Sequence, residues 1–440
     1  MTEFGARSRM LFAVLSGASL LLAASGFFVP CRAQEARSAT VQTGESESVA
    51  KRTLKPVYDG LRWLVRHQNA DGSWSPTTLK EHGQSDAPIY NPKDAYTAHY
   101  DAGLTGLALI CFLRAGFTPE RNLDFVDVAM AKRYKANKVV GAGLSWLVHE
   151  QHADGSFSSD RACMSDEAIA SLALTTAYAL TKDPALKEPA QRSLDFIQAA
   201  QRPNPSGSGL WGWRSASRQE IEKSGESGSS DKTIRRELYD SDTTSTGWCA
   251  VALESGMHAG LVVGPDNLAG AAAFTRWATS DNGMVGYIDP KDAGATVSGP
   301  GDHFTGHPAM ISAMGISTRL AAGGSAADPF LALGAAQIMK DLPTISADTL
   351  SIDYSYWLWG TEALKRVDGP EVAGRTGKYW DVWLKAVIDA VLTLQDHTEK
   401  APTHGGWMTP DRWARNGGPI YTTAMNVLTL EMARVDPIVK

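Results

Sequence analysis

Cysteine is scarce in this chain of 440 residues, which holds four. Cys31 lies in the N-terminal leader. Cys111, Cys163 and Cys249 are odd in number and form no paired motif, so nothing in their spacing calls for a disulfide framework. Cys111 and Cys249 fall in apolar segments and read as buried thiols. No Gly-rich phosphate loop is present. No basic run carries interleaved aromatics, and the formal net charge is −6, which argues against nucleic acid as a partner. Beyond residue 29 no apolar run is long enough to cross a membrane.

The leader is the exception. Arg7 and Arg9 precede an apolar stretch from Met10 to Val29, and Cys31-Arg32-Ala33 is a small-residue cleavage site. Residues 1–33 are therefore expected to be a signal peptide, with an uncleaved anchor as the alternative. No lipobox precedes Cys31. Residues 34–52 are polar and are expected to form a flexible tether, leaving 53–437 as a single domain. The expected location is outside the cytoplasm, periplasmic or extracellular, and membrane-attached if the leader stays on. No transmembrane segment is expected after cleavage.

What the chain does have is a repeat. Gly60–Trp74 reads GLRWLVRHQNADGSW and Gly143–Phe157 reads GLSWLVHEQHADGSF. Looser copies follow at Ser193 (leading to GLWGW from Gly209), at Phe274, and at Ala390 (closing with HGGW from His404). Each copy opens with apolar residues at helical spacing, such as Leu61, Leu64 and Val65. Each then meets a Gln and a Gly turn that ends the helix, followed by a large ring able to fold back over the last turn. A second apolar segment, rich in small residues, follows each: Ala98–Ala115, Asp166–Leu180, Thr243–Leu261, His307–Leu320, Asp353–Val367 and Tyr421–Val435. With a weakly marked helix at Pro329–Met339, the pairs make six helical hairpins. The expected fold is all-α, an (α/α)6 toroid, because a closed ring leaves no terminal repeat with an uncovered face.

The Gln-x-x-Asp-Gly-Ser-Trp pattern at Gln68–Trp74 and its copy at Gln151–Phe157 resemble the repeats of terpenoid cyclases, a superfamily whose toroid also serves protein prenyltransferases. The segments Asp242–Trp248 and Gly405–Leu430 are similar to bacterial prenyltransferase/squalene-oxidase repeat proteins. The resemblance spans nearly the whole mature chain. It implies that Gln68 stacks on Trp74 and caps a neighbouring helix. Tyr239–Thr244 resembles the D-x-D-D-T motif of squalene-hopene cyclases, with Asp240, Asp242 and Thr244 matching and Thr243 standing where that family has Asp. The resemblance implies that Asp242 would protonate an alkene, with Asp240 and Thr244 beside it. Those cyclases enclose substrate between two helical domains, whereas this chain has one.

Long loops (75–97, 203–242, 282–306 and 397–419) are expected to gather on one rim, at the N-termini of the inner helices. The hydrophilic Ser215–Glu237 stretch reads as a lid or a solvated insertion. Polar residues collect at the same rim: His99, Tyr100, Asp101, Cys163, Asp166, Asp240, Asp242, Thr243, Thr244, His303, His307, Asp353, Tyr354, Tyr356 and Tyr421. Capping of free backbone N–H groups is the simpler role for Asp166, Asp242 and Asp353. Trp248, Trp357, Trp359, Tyr354 and Tyr356 would line an apolar pocket or pack the core. No cofactor is expected. Zinc is the one metal the resemblance raises, through Cys163, Asp242 and His303 or His307, but the Asp-x-Cys pair of prenyltransferases is absent.

Three functional readings follow. One is an exported cyclase-like protein that binds or cyclises an isoprenoid. Another is a non-catalytic scaffold for a lipid or a protein partner. The third is a carbohydrate-active enzyme with Asp166, Asp242 and Asp353 as candidate acids and bases.

Overall fold

The two helices of each repeat differ in the width of their apolar surface, and this sorts them into two layers. The computed structural model describes residues 45–82, 100–127, 132–158, 163–216, 240–292, 296–299, 302–305, 307–346, 351–411 and 413–434. Among the described residues are twelve α-helices. The outer ones are α1 (Glu45–Arg66), α3 (Ala136–Glu150), α5 (Pro184–Ala200), α7 (Pro265–Trp277), α9 (Pro329–Ile338) and α11 (Trp380–Leu394). The inner ones are α2 (Asp101–Arg114), α4 (Met164–Thr181), α6 (Thr243–Ala259), α8 (Pro308–Ala321), α10 (Tyr354–Asp368) and α12 (Ala414–Ala433).

Inner helices are buried all round: every residue from Ala102 to Leu113 of α2 and from Ala309 to Ala321 of α8 is buried. Outer helices bury one stripe, as α11 does with Trp380, Trp383, Val387, Ile388 and Val391. Each inner helix packs on the inner helices before and after it, and α12 returns to α2, so the ring closes. The expected (α/α)6 toroid is the observed fold. Small residues allow the close approach: a Cβ on Gly106 of α2 would sit 2.9 Å from the Ile169 carbonyl oxygen of α4. No helix among the described residues is long and apolar enough to cross a membrane.

The Gly turns carry a repeated set of hydrogen bonds. The indole N–H of Trp74, Trp213 and Trp407 donates to the last turn of its own outer helix, at Leu64 (2.8 Å), Ile197 (2.7 Å) and Val391 (2.8 Å). The backbone N–H of the same residues donates to a Thr hydroxyl of the following inner helix: Thr105, Thr246 and Thr423. Gln68, Gln151, Gln201 and Gln395 each bridge their own turn to a carbonyl of the next outer helix, at Val139, Pro189, Asn267 and Pro56. The last bridge joins the end of the chain to its start. Gly72 has φ 102°, and a Cβ there would meet the Ala142 carbonyl oxygen at 2.4 Å, so the turn accepts only glycine.

One expected boundary needs correction, and three features lie outside the repeat pattern. Helix α1 begins at Glu45, inside the expected tether, because Val49 packs on the core and Arg434 donates to the Ala50 carbonyl at 2.8 Å. The connection after α2 runs on to Lys135, because β1 (Asp124–Asp127) and β2 (Lys132–Lys135) pair there as a hairpin, Phe125 opposite Tyr134. A second hairpin, β3 (Thr296–Gly299) with β4 (Asp302–Thr305), lies in the loop before α8. The fifth turn has neither Gln nor Trp. There the Tyr356 hydroxyl reaches back to α9, 2.8 Å from the Ile338 carbonyl and 2.6 Å from that of Asp341. The expected leader, residues 1–33, lies outside the described residues.

Candidate functional site

The N-termini of the inner helices share one rim, and the polar residues expected there fall into three separate groups. His99 and the stretch 217–239 lie outside the described residues, as does the His303 side chain.

The first group is at α6. Asp242 is its N-cap, with no exposed surface. Its carboxylate accepts from Ser245 N (2.7 Å), Ser245 Oγ (3.0 Å) and Thr244 Oγ1 (2.6 Å), and Arg214 stands 3.9 Å away. Each of these donors needs Asp242 as an acceptor. Asp242 therefore caps α6 with both carboxylate oxygens engaged. Thr243 Oγ1 donates to the Gly286 carbonyl at 2.7 Å, tying α6 to the next turn. Asp240 lines a pocket beside the third hairpin, with Asn204, Trp211 and Trp277.

The second group joins α2 and α4. Asp101 opens α2, and Asp166 lies in the first turn of α4. Both are half-buried. Asp166 presses on the α2 backbone, where a Cβ on Gly103 would lie 2.1 Å from its Oδ1. Asp101 Oδ1 and Asp166 Oδ2 are shielded from solvent and have no hydrogen-bond partner. Burial pushes Asp101 up to about 7, against a hydrogen bond from Ser75, with Asp71 adding to the rise. Burial likewise pushes Asp166 up to about 8, against a hydrogen bond from Cys163, with Glu167 and Asp101 adding to the rise. The Cys163 thiol beside them is raised to about 12, by burial and then by Asp166, so it stays protonated. Tyr100 is raised by burial, and then by Cys163 and Asp166. Glu167 has a structural part, accepting from Phe157 N (2.8 Å) and Ser158 N (3.0 Å).

The third group lies at α8, α10 and α12. Asp353 caps α10 by accepting from Tyr356 N at 2.8 Å, and Trp413 Nε1 donates to it at 3.2 Å. His307, the N-cap of α8, sits between Asp341 (2.5 Å) and Asp353 (3.6 Å). Burial alone would lower His307, but the two carboxylates outweigh it and raise it to about 9. Asp411, which has no exposed surface, accepts from Tyr354 N (2.8 Å) and Trp413 N (3.0 Å), with the Tyr421 hydroxyl at 3.5 Å. Burial and then the Asp353 charge raise Asp411 to about 7.

The aromatic residues expected to line a pocket are packing residues. Trp248 of α6 meets Trp359 of α10 edge to face, ring centroids 4.9 Å apart, across the axis of the ring. Arg366 of α10 crosses the same axis to Glu254 of α6 at 2.8 Å. Side chains therefore occupy the centre at these levels. Tyr354 rests on Trp357 (5.3 Å), and its hydroxyl donates to Thr409 O at 3.0 Å. The zinc set does not assemble from its described members. Cys163, Asp242 and His307 belong to three different hydrogen-bond groups, and Asp242 and His307 already have their partners.

Asp411, Asp341 and Arg214 carry no motif that would have marked them. The one signal for Asp411 is its place two residues before Trp413, where an Asp accepts a turn N–H.

No protein-family model matches the chain, and no curated protein matches it. Solved structures do. A variant of the type II terpene cyclase MstE from Scytonema, bound to its product merosterolic acid A, is similar to 88% of this chain. The match covers 98% of that structure, at 14% identity and a TM-score of 0.50. An inactive α-1,6-mannanase variant from Salegentibacter sp. in complex with α-1,6-mannotriose also covers 88% of this chain, and the match takes in 98% of its own. Its identity is 11% and its TM-score 0.49. At such identities the likeness is one of fold, the closed ring of helical hairpins.

Proposed function

We propose that the protein is an exported acid–base enzyme that hydrolyses glycosidic bonds at the long-loop rim, using Asp166 as the acid and Asp101 as the base. The observation that carries this reading is the Asp101–Asp166 pair. It joins two carboxyls on neighbouring helix starts, half-buried, each with an unpartnered oxygen. The capping and turn carboxyls Asp242, Asp353 and Asp411 are sealed, at 0%, 1% and 0% exposure. Glycoside hydrolysis needs one carboxyl to protonate the leaving oxygen and another to activate water or attack the sugar. Asp166, raised to about 8, keeps its proton at neutral pH, and Asp101, at about 7, can give up its own. Against an isoprenoid substrate stands the ring axis filled by Trp248, Trp359, Glu254 and Arg366.

The test is release of reducing ends from a panel of neutral polysaccharides. Asp166→Asn and Asp101→Asn should each lower turnover by about 10²–10⁴-fold with no loss of melting temperature. Turnover should also fall as pH rises through about 8, where Asp166 loses the proton it must donate. Full activity in either variant overturns the assignment. Conversion of a linear isoprenoid such as squalene, abolished by Asp242→Asn, would establish the cyclase reading in its place.

A further inference from the structure

Arg214 stands on the rim between the starts of α4 and α6. Its chain neighbours are held on both sides. The Trp213 carbonyl accepts from Asp242 N at 2.7 Å, and the Ser215 carbonyl accepts from Met164 N at 2.9 Å. The guanidinium lies over the Tyr287 ring, 5.6 Å from its centroid, which holds the fork in place. Its contact with Asp242 is 3.9 Å, too long for a hydrogen bond, and that carboxylate already accepts three. Arg214 Nη1 is shielded from solvent and has no hydrogen-bond partner, and the fork donates to none of the described residues. The side chain is 26% exposed, and the other two guanidinium nitrogens are not shielded. Arginine is a donor only, with five N–H groups. Offsetting the Asp242 charge accounts for one nitrogen and leaves the rest of the fork unused.

Charge and shape select what such a fork receives. A hydroxyl of a neutral sugar meets one N–H at a time. A carboxylate meets two in parallel and the charge as well, in a pairing about twice as strong. An apolar ligand would strand the donors, and a cationic one would meet like charge. The chain's net charge of −6 repels anions at long range, so a cation on the rim marks the place where one is accepted. We propose that Arg214 selects an acidic glycan, receiving the carboxylate of a uronate unit near the bond cut at the rim. The inference rests on the glycan reading and narrows its substrate class. The spacing fits. Cys163 pairs with Ala216, so Met164 and Ser215 lie side by side. From Arg214 through that contact to Asp166 the Cα path is no more than about 15 Å, a reach that a short oligosaccharide covers. Asp166, raised to about 8, keeps its proton at neutral pH, so the pair brings at most one negative charge near the anion.

The experiment compares uronate-bearing oligosaccharides with their methyl esters, which keep the shape and lose the charge. In the intact protein the acid should be cut with a kcat/KM about tenfold above its ester. That ratio needs no variant. In Arg214→Gln it should fall to about one, through KM rather than kcat. Arg214→Lys keeps the charge beside Asp242 and loses the fork, so it should fold and show a reduced ratio. Calorimetry on the full chain carrying Asp166→Asn, which does not consume the ligand, should show the same preference, weakening with added salt. Adding Arg214→Gln should remove both the preference and the salt dependence. Equal use of acid and ester by the intact protein overturns the inference. So does a ratio that survives Arg214→Gln, as a purely structural partner of Asp242 would give, or failure to bind any acidic oligosaccharide. Inorganic phosphate or sulfate bound through Arg214 without such glycan binding marks an adventitious ion only, and overturns it too. The rim assignment fails separately, on turnover in Asp166→Asn or Asp101→Asn, so the two readings can fall independently.

Discussion

Asp240 and Asp242 are two residues apart and have unrelated parts. Asp242 turns inward and closes the first turn of α6, whereas Asp240 lines the pocket beside the third hairpin. The same contrast runs through the tryptophans. Trp407 is fully buried and donates its indole N–H to Val391, whereas Trp277 is half in solvent. Removing Trp407 would open a large cavity and orphan the Val391 carbonyl. Trp407→Ala is therefore expected to cost about 3–5 kcal/mol by chemical denaturation. A cost below about 1 kcal/mol would mean that the turn ring does not hold α11 to α12.

At the scale of elements, each hairpin is held by side chains that meet backbone groups left open at helix ends. The join between α10 and α11 shows this most clearly. Asp368, the last residue of α10, accepts from the backbone N–H of Thr376 (2.7 Å), Gly377 (3.0 Å), Tyr379 (2.8 Å) and Trp380 (3.2 Å). Burial would raise this carboxyl, but the backbone donors outweigh it and hold it below its ordinary value. Asp368→Ala would leave those N–H groups unmet and should cost about 3 kcal/mol, with faster hydrogen exchange confined to residues 369–381. Uniform exchange across the ring would contradict a local role.

The hairpins were legible in the sequence because apolar periodicity and Gly turns are local signals, and burial in a ring follows from them. The inner helix expected at Asp353–Val367 fell within a residue of its observed bounds, whereas the last one, expected from Tyr421, begins at Ala414. The site was less legible. A capping Asp and a reactive Asp look alike in sequence, and what separates Asp242 from Asp166 is access to solvent, set by neighbours far along the chain. Trp277 lies in the loose copy at Phe274, where nothing marks it as exposed, and its ring meets that of Trp211 at 5.7 Å only because α7 folds back beside the Gly209 turn. The β1–β2 hairpin was missed because its strands are short and largely polar.

Across the whole molecule, most of the buried acids shift in one sense. Asp101 and Glu167 are raised to about 7 chiefly by burial, Asp411 to about 7 by burial and Asp353, and Asp166 to about 8 by burial. His307 is raised to about 9 by Asp341 and Asp353 against its burial. Each group binds its proton more tightly when folded. Its contribution is complete below the unfolded pKa and is lost as pH rises through the folded value. Asp368 and Asp396 are lowered by backbone donors against burial, so theirs is present above the ordinary carboxylate range and lost below it. Thermal scans should place the highest Tm near the ordinary carboxylate range, with a decline from there to about pH 9 as the raised groups lose their protons. A Tm that climbs toward pH 9 would count against the buried acids.

The Gln395 bridge to Pro56 and the Arg434 contact with Ala50 make the ring continuous where the chain is not. A ribosome builds the six hairpins in order, yet the first outer helix rests on the last inner one, so α1 must wait, half-covered, until about 340 further residues have emerged. Full closure therefore waits for the sixth hairpin, and the amphipathic α1 is the part of the nascent chain with most to gain from a chaperone.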